Sequence, residues 1–158
     1  MKISIVCVGK LKEKYLKEAI AEYSKRLSKY TKLEIIEIPD EKITDNNSMD
    51  KIKVKEGENI LKVLGFQKNQ YIVALHPDSS QMDSEVFAHF LKDSMVQGFS
   101  HIYFIIGGTL GLSEEVLRRS HLKLSFSKMT FTHQLMRVIL LEQVYRGFKI
   151  IGGEVYHR

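Results

Sequence analysis

The chain has 158 residues, of which 44% are apolar and 27% charged, and this size and composition suit one globular domain spanning 1–158. It contains no uncharged apolar run of about 18 residues and no signal-peptide pattern in residues 1–9, so we expect a cytoplasmic protein without membrane association. The single Cys7 excludes an internal disulfide and, within an apolar segment, is expected to be a buried thiol. Histidines are scattered without ligand spacing, so no structural metal is expected.

The net charge of +5 is unevenly distributed along the chain. From residue 116 to the C-terminus, eight lysines and arginines stand against two glutamates. A concentrated positive end is typical of a protein that contacts a phosphate backbone. A basic surface that is merely solvated remains the alternative.

The first half of the chain alternates strand and helix patterns. A mostly apolar, β-branched run comes first, followed by apolar residues at three- and four-residue spacing, which indicates an amphipathic helix. The predicted elements are a strand over 2–8, a helix over 11–30, a strand over 33–38 and a helix, capped by Ser48 or Asp50, that runs to Leu64.

The second half continues the alternation, which predicts an α/β fold with a mostly parallel sheet and helices on both faces. Its predicted elements are a strand over 71–75 with a turn at 76–80, a helix from Asp83 or Ser84 to Gly98, a strand over 102–106, a short helix capped by Ser113, a strand over 122–126 and a last helix from His133 to Ile151. No internal repeat or linker interrupts this order.

Ligands of parallel sheets bind beyond the carboxyl ends of the strands, and three loops qualify. These loops follow Leu75, Ile106 and Phe126. The second is glycine-rich, 107–111, so its backbone can approach a ligand closely. A plain tight turn explains the same glycines equally well.

The last predicted helix is apolar nearly all the way round, so both of its faces need to be covered. One face can pack on the sheet, and the other is expected to contact a partner chain. Three polar side chains interrupt the helix, namely Arg137, Glu142 and Arg146. Charges beside an apolar seam must be paired or used in function.

This C-terminal region carries a family resemblance. The segment 131–138 (Phe-Thr-His-Gln-Leu-Met-Arg-Val), the pairs Glu142-Gln143 and Tyr145-Arg146, and the closing Tyr156-His157-Arg158 closely resemble the bacterial RlmH family, which are SPOUT-class methyltransferases. The resemblance covers the whole chain. Two positions depart from the family pattern: Thr132 stands where proline is usual and Gly147 where alanine is usual.

The resemblance implies a SPOUT methyltransferase fold with a C-terminal trefoil knot, a feature that ordinary folds avoid. It also implies an S-adenosylmethionine (SAM) site in which backbone groups grip adenine and ribose while apolar side chains enclose the ring. The residues so implied are Leu75, Gly107, Phe126, Ser127, Lys128, Met129, Thr130 and Phe131.

The implied acceptor is N3 of a pseudouridine in the helix 69 loop of 23S rRNA, within the assembled 70S ribosome. The implied partners are this RNA, not DNA, and a second copy of the chain in a homodimer. Arg146 would stabilise the charge growing on the flanking carbonyl oxygens, and His157 or a water it orients would take the proton.

Glu142, at i, i+4 spacing from Arg146, would orient the guanidinium, and Tyr156 would stack on a base. Each role has a structural alternative: a helix ion pair for Glu142 and Arg146, and a frayed chain end for the tail. A non-catalytic ribosome-binding factor with the same fold is the alternative function, and a flavodoxin-like domain for a phosphorylated ligand is a third. Thr132 can still cap the last helix, whereas Gly147 should cost about 1 kcal/mol and loosen the tail.

Overall fold

In the computed structural model, residues 1–46 and 48–158 are described. Strands and helices alternate through these residues, which confirms the predicted α/β organisation. The elements are β1 Lys2–Val8, α1 Lys14–Leu27, β2 Lys32–Ile38, α2 Met49–Leu64, β3 Gln70–Gln81, α3 Ser84–Val96, β4 His101–Ile106, α4 Glu114–Arg119, β5 Leu122–Ser125 and α5 His133–Ile151. None of the described helices is long and apolar enough to cross a membrane.

The five strands form one parallel sheet in the order β2-β1-β4-β3-β5. The predicted parallel sheet is therefore confirmed. Because β4, β3 and β5 are neighbours, the loops that follow their carboxyl ends lie along one edge of the sheet. This edge is the one that the sequence indicated for a ligand.

Helices cover both faces of the sheet, as predicted. On one face, Cys7 and the neighbouring strand residues pack with α1, α3 and α5; on the other, Val6 and Val8 pack with α2 and α4. This alternation along β1 follows from side chains pointing to opposite faces of a strand. Burial confirms the expectation for Cys7 and raises the pKa of its thiol to about 12.

The third strand is longer than predicted. Leu75 and Ser80 both stand in register with Leu124 of β5, so residues 76–79 form a bulge within β3. The prediction of a strand ending at Leu75, followed by a turn, was therefore wrong. The polar residues 76–79 are indeed unpaired, but from Ser80 the chain pairs with β5 again.

Several helix ends also refine the predictions. The first helix begins at Lys14 rather than Leu11, because the Leu11 amide donates to Glu37 Oε2 (2.8 Å) outside the helix. Ser48, not Asp50, caps α2 by accepting from the Lys51 amide. Thr132 caps α5 by accepting from the Leu135 amide at 3.3 Å, as expected.

Gly147 has a packing role that the sequence did not predict. It is buried, and a Cβ at this position would lie 2.8 Å from Leu91 Cδ1 and 3.7 Å from Ala88 Cα of α3. Glycine therefore lets α3 and α5 approach closely. The tail 152–158 is bonded to α5 through Lys149 and Glu142 and to Tyr30, which follows α1. The expected loosening of the tail stays a prediction.

Candidate active site

The residues implied for the cofactor lie at the carboxyl edge of β3, β4 and β5. Leu75 is half-buried just before the β3 bulge, Gly107 follows β4 directly, and Phe126 follows β5. The structure therefore brings these three loops to one edge. The remaining implied residues continue the β5–α5 loop: Ser127, Lys128, Met129, Thr130 and Phe131.

The β5–α5 loop is shaped by its own serines. Ser125 Oγ donates to the Ser127 carbonyl (3.0 Å), and the Met129 amide donates to Ser127 Oγ (3.0 Å). Beyond this turn the loop is exposed, with the Met129 side chain 77% accessible and Phe131 also exposed. Exposed apolar side chains on an ordered turn are suited to covering an apolar ring.

The glycine loop after β4 has a defined conformation. The Gly111 amide donates to the Gly108 carbonyl at 3.0 Å, and a Cβ at Gly107 would come within 2.9 Å of the Gly111 carbonyl carbon. Gly111 itself has a φ of +83°, which favours glycine. The tight turn therefore explains these glycines, and it leaves the loop at the ligand edge.

Glu56 of α2 supports this loop and was not singled out in the sequence. It is buried, and its Oε2 would lie 3.3 Å from a Cβ at Gly108. Burial raises the pKa of this carboxyl. Only its depth in the fold distinguishes Glu56 from the exposed glutamates, and no local pattern predicts that depth.

The four residues implied for catalysis lie together. Arg146 Nη2 donates to Glu142 Oε1 at 2.7 Å, and the Tyr156 hydroxyl donates to the same oxygen at 3.1 Å. The guanidinium carbon of Arg146 lies 4.7 Å from the centre of the Tyr156 ring. We call Glu142, Arg146, Tyr156 and His157 the arginine cluster.

His157 faces two charged groups. Its Nδ1 lies 3.4 Å from Arg146 Nη1, and its Nε2 lies 3.7 Å from Glu85 Oε1. Because a guanidinium only donates, Nδ1 accepts, and this contact selects the tautomer with hydrogen on Nε2. Glu85, the first-turn acid of α3, was missed because nothing in the sequence links it to the distant tail.

Hydrogen bonding and burial change the pKa of two members of the cluster, Arg146 and Tyr156. The bond to Glu142 raises the pKa of Arg146. Burial, together with the bond to Glu142, raises the pKa of Tyr156 to about 12. At neutral pH the cluster therefore presents a guanidinium cation against a neutral phenol.

The tail is held to the body of the protein before it reaches the cluster. Glu154 forms an ion pair with Lys149 and accepts from the Tyr30 hydroxyl at 2.8 Å. The ring of Tyr156 also packs edge-on against Tyr145, with centroids 4.9 Å apart. The alternative of a frayed chain end does not describe this tail.

Half of the basic residues near the C-terminus are engaged within the protein. Arg137, Arg146 and Lys149 form ion pairs, and Arg119 donates to the Gly65 carbonyl. Four remain exposed: Arg118, Lys123, Lys128 and Arg158. Among the residues that the structure describes, no group of three or more His, Cys, Asp or Glu could hold a metal ion.

Comparisons with known proteins agree with the geometry. A family model described as "Predicted SPOUT methyltransferase" matches residues 1–157. Proteins named ribosomal RNA large subunit methyltransferase H are 56% identical in Clostridium kluyveri, 53% in Clostridium perfringens and 54% in Clostridium tetani, each alignment covering all of both chains.

A solved structure shares the fold. A Legionella pneumophila protein described as a methyltransferase, in complex with bound SAM, superposes with a TM-score of 0.52 at 16% identity, covering 94% of this chain and 66% of that one. The full-length identity to the clostridial proteins is decisive for the family. The chain belongs to the RlmH family of SPOUT methyltransferases.

Proposed function

We propose that the protein is a SAM-dependent methyltransferase of large-subunit ribosomal RNA. The names of its full-length relatives support the rRNA substrate, and the bound SAM of the Legionella neighbour supports the cofactor. In finer terms, we propose methylation of N3 of a pseudouridine in the helix 69 loop of 23S rRNA, within the assembled 70S ribosome.

The carboxyl edge of the sheet fits SAM. Leu75, Gly107 and the loop 126–131 would hold it, with backbone groups toward adenine and ribose and exposed apolar side chains over the ring. SAM supplies an electrophilic methyl group on a sulfonium. The protein's task is therefore to align N3 with that methyl, since in-line transfer depends mainly on positioning.

The single observation that carries the proposal is the placement of Arg146. Its guanidinium is held by Glu142 through two bonds, 2.7 Å from Nη2 and 3.4 Å from Nε, and is only partly exposed. When N3 loses its proton, negative charge grows on the carbonyl oxygens on either side. A pre-oriented cation stabilises that charge without reorganising.

Glu142 orients the cation and does not take the proton. Its Oε1 accepts hydrogen bonds from Tyr156 and Arg146, and its Oε2 accepts from Arg146 and Gln143. Both oxygens are therefore engaged. For His157, Nδ1 accepts from Arg146 and Nε2 carries hydrogen, so the lone pair needed for a direct base is engaged. This favours a water oriented by His157 as the first acceptor of the N3 proton, which then passes to bulk solvent.

The proposal includes a homodimer. Leu135 leaves an exposed apolar side chain on the first turn of α5, beside the loop residues proposed to cover SAM. A second copy that covers this face would bring its own tail and basic residues near the same site. A monomer that methylates at the normal rate would contradict this part of the proposal.

The test is transfer of a labelled methyl group from SAM to three substrates side by side: 70S ribosomes, free 50S subunits and naked 23S rRNA, all from cells lacking this activity. Label entering 70S ribosomes alone, mapped to one pseudouridine, is the expected result. Label on none of them, despite tight cofactor binding, would favour the non-catalytic ribosome-binding factor instead.

A further inference from the structure

One glutamine of α5 joins two parts of the molecule that the proposed reaction needs. Ser84 Oγ donates to Gln143 Oε1 at 2.7 Å, and Gln143 Nε2 donates to Glu142 Oε2 at 2.9 Å. Ser84 is the first residue of α3, whereas Glu142 belongs to the arginine cluster. The amide of Gln143 thus links the start of α3 to the Glu142 side of that cluster.

The start of α3 is tied to the proposed cofactor edge. It follows the end of β3 at once, where Gln81 is in register with Ser125 of β5. Further along α3, the Phe87 ring packs against Phe126, with centroids 6.4 Å apart. A displacement of the loop 126–131 would therefore shift the first turn of α3.

The contact between α3 and α5 is close enough to transmit such a displacement. Gly147 allows Leu91 to sit directly against α5, so the two helices cannot separate without opening a buried contact. On the far side, Glu85 faces His157 at 3.7 Å. Ser84 and Glu85 therefore reach both ends of the arginine cluster from one turn of helix.

We infer that Gln143 is a positioning residue that couples occupancy of the cofactor edge to the orientation of Arg146. The inference rests on the proposed function. Gln143 touches neither cofactor nor RNA in this role; it holds the Glu142 carboxylate, which holds the guanidinium. By linkage, an aligned cluster would in turn favour a bound cofactor.

Turnover is the first readout. We expect Gln143→Ala to lower kcat about tenfold, the effect of losing one well-placed hydrogen bond, with the KM for ribosomes and Tm unchanged. Ser84→Ala should lower kcat less, and the double variant should match Gln143→Ala because both act through one link. Ser84→Thr, which keeps the hydroxyl, should have the kcat of the wild type rather than the lower kcat of Ser84→Ala.

A purely structural role predicts a different pattern. It would lower Tm while leaving kcat of the folded fraction unchanged in Gln143→Ala, in Ser84→Ala and in the double variant. Gln97→Ala, which changes an exposed glutamine at the other end of α3, is the matched control and should be silent. Full kcat in Gln143→Ala would overturn the inference and leave the proposed function intact.

A second readout does not depend on turnover. The imidazole resonance of His157 is followed by NMR as S-adenosylhomocysteine is added, and binding is measured separately by calorimetry. The wild type should show a shift that Gln143→Ala loses although it still binds. If this difference is seen but the wild type transfers no methyl group, the proposed function is refuted and the coupling through Gln143 stands. An equal shift in both proteins would refute the coupling.

Discussion

Helix α5 carries two arginines that each meet a glutamate at nearly the same distance but in different surroundings. Arg137 Nη1 lies 2.8 Å from Glu37 and Arg146 Nη2 lies 2.7 Å from Glu142. The Arg137 side chain is 1% exposed and also donates to the Gly9 carbonyl, which ties α5 to β1 and β2. The Arg146 side chain is 24% exposed, and its partners belong to α5 and the tail.

The two arginines therefore differ in their surroundings rather than in their ion pairs. Arg137 donates from Nη1 and Nη2 to groups at the ends of β1 and β2, and its Nε has no partner among the described residues. Among the described residues, Arg146 is bound by groups of its own helix and a short tail, so in the proposed reaction a substrate could replace some of those contacts. We expect substitutions at the two sites to separate stability from turnover.

The largest expected effect is on turnover at Arg146. Arg146→Ala should lower methyl transfer about 100- to 1000-fold, the cost of losing a pre-oriented charge in the transition state. Its free energy of unfolding should change by less than about 1 kcal/mol, because the pair is partly exposed. Arg146→Lys, which keeps the positive charge but not the planar guanidinium with its paired donors, should recover only part of the rate.

Single-turnover assays with saturating cofactor and urea unfolding together measure both quantities. Full turnover in Arg146→Ala, with fold and cofactor binding intact, would remove Arg146 from the mechanism.

Arg137→Ala should show the opposite pattern. Removing one partner of a buried pair costs about 3 to 5 kcal/mol, and we expect the lower end because the Glu37 side chain is 40% exposed and can rehydrate. Arg137→Met, which fills the same space, should lose less. Urea unfolding measures the difference, and wild-type stability of Arg137→Ala would mean that Arg137 does not hold α5 to the sheet.

At Gly147 we expect a smaller effect that depends on side-chain size. Gly147→Val should lower the free energy of unfolding by about 2 kcal/mol, because the added atoms would overlap the buried Leu91. Gly147→Ala should stay within about 1 kcal/mol of wild type, since a gain in helix propensity offsets the need for Leu91 Cδ1 to move. Equal stability of the two variants in thermal unfolding would contradict the close packing of α3 on α5.

The smallest expected effect is a pH dependence at Tyr156. Its pKa is raised to about 12 in the folded protein from an ordinary value of 10, so the folded state holds the proton more tightly than the unfolded state. The resulting stabilisation is complete below about pH 10 and is lost as the pH rises through about 12. Comparison of phenolate absorbance with Tyr156→Phe should show one late-titrating tyrosine; an early titration would mean that the tail does not bury it.

Most of the fold could be predicted from the sequence because its signals are local. The β-branched strands, the Ser113 and Thr132 caps and the alternation of elements need only near neighbours along the chain. The bulge of β3 could not be predicted, because Pro77 and its polar neighbours indicate a turn. Only the partner strand β5 shows that pairing resumes at Ser80.

The same limit applies to the site. The resemblance supplied Glu142, Arg146, Tyr156 and His157, and the structure places them in one cluster. The contacts of Ser84 and Glu85 could not be predicted from the sequence, since their partners are distant in the chain. The partners of Arg137, which are the Glu37 carboxylate and the Gly9 carbonyl, could not be predicted for the same reason.

The bulge in β3 has a consequence for how this protein can vary. Leu75 and Ser80 share one partner on β5, so the ladder begins again at the same level after residues 76–79. Added or deleted residues at 76–79 would change the length of this excursion without shifting Gln81, Ser84 or the helix that follows. Relatives can therefore differ in length at this point, beside the ligand edge, while the spacing between the ligand edge and the arginine cluster is preserved.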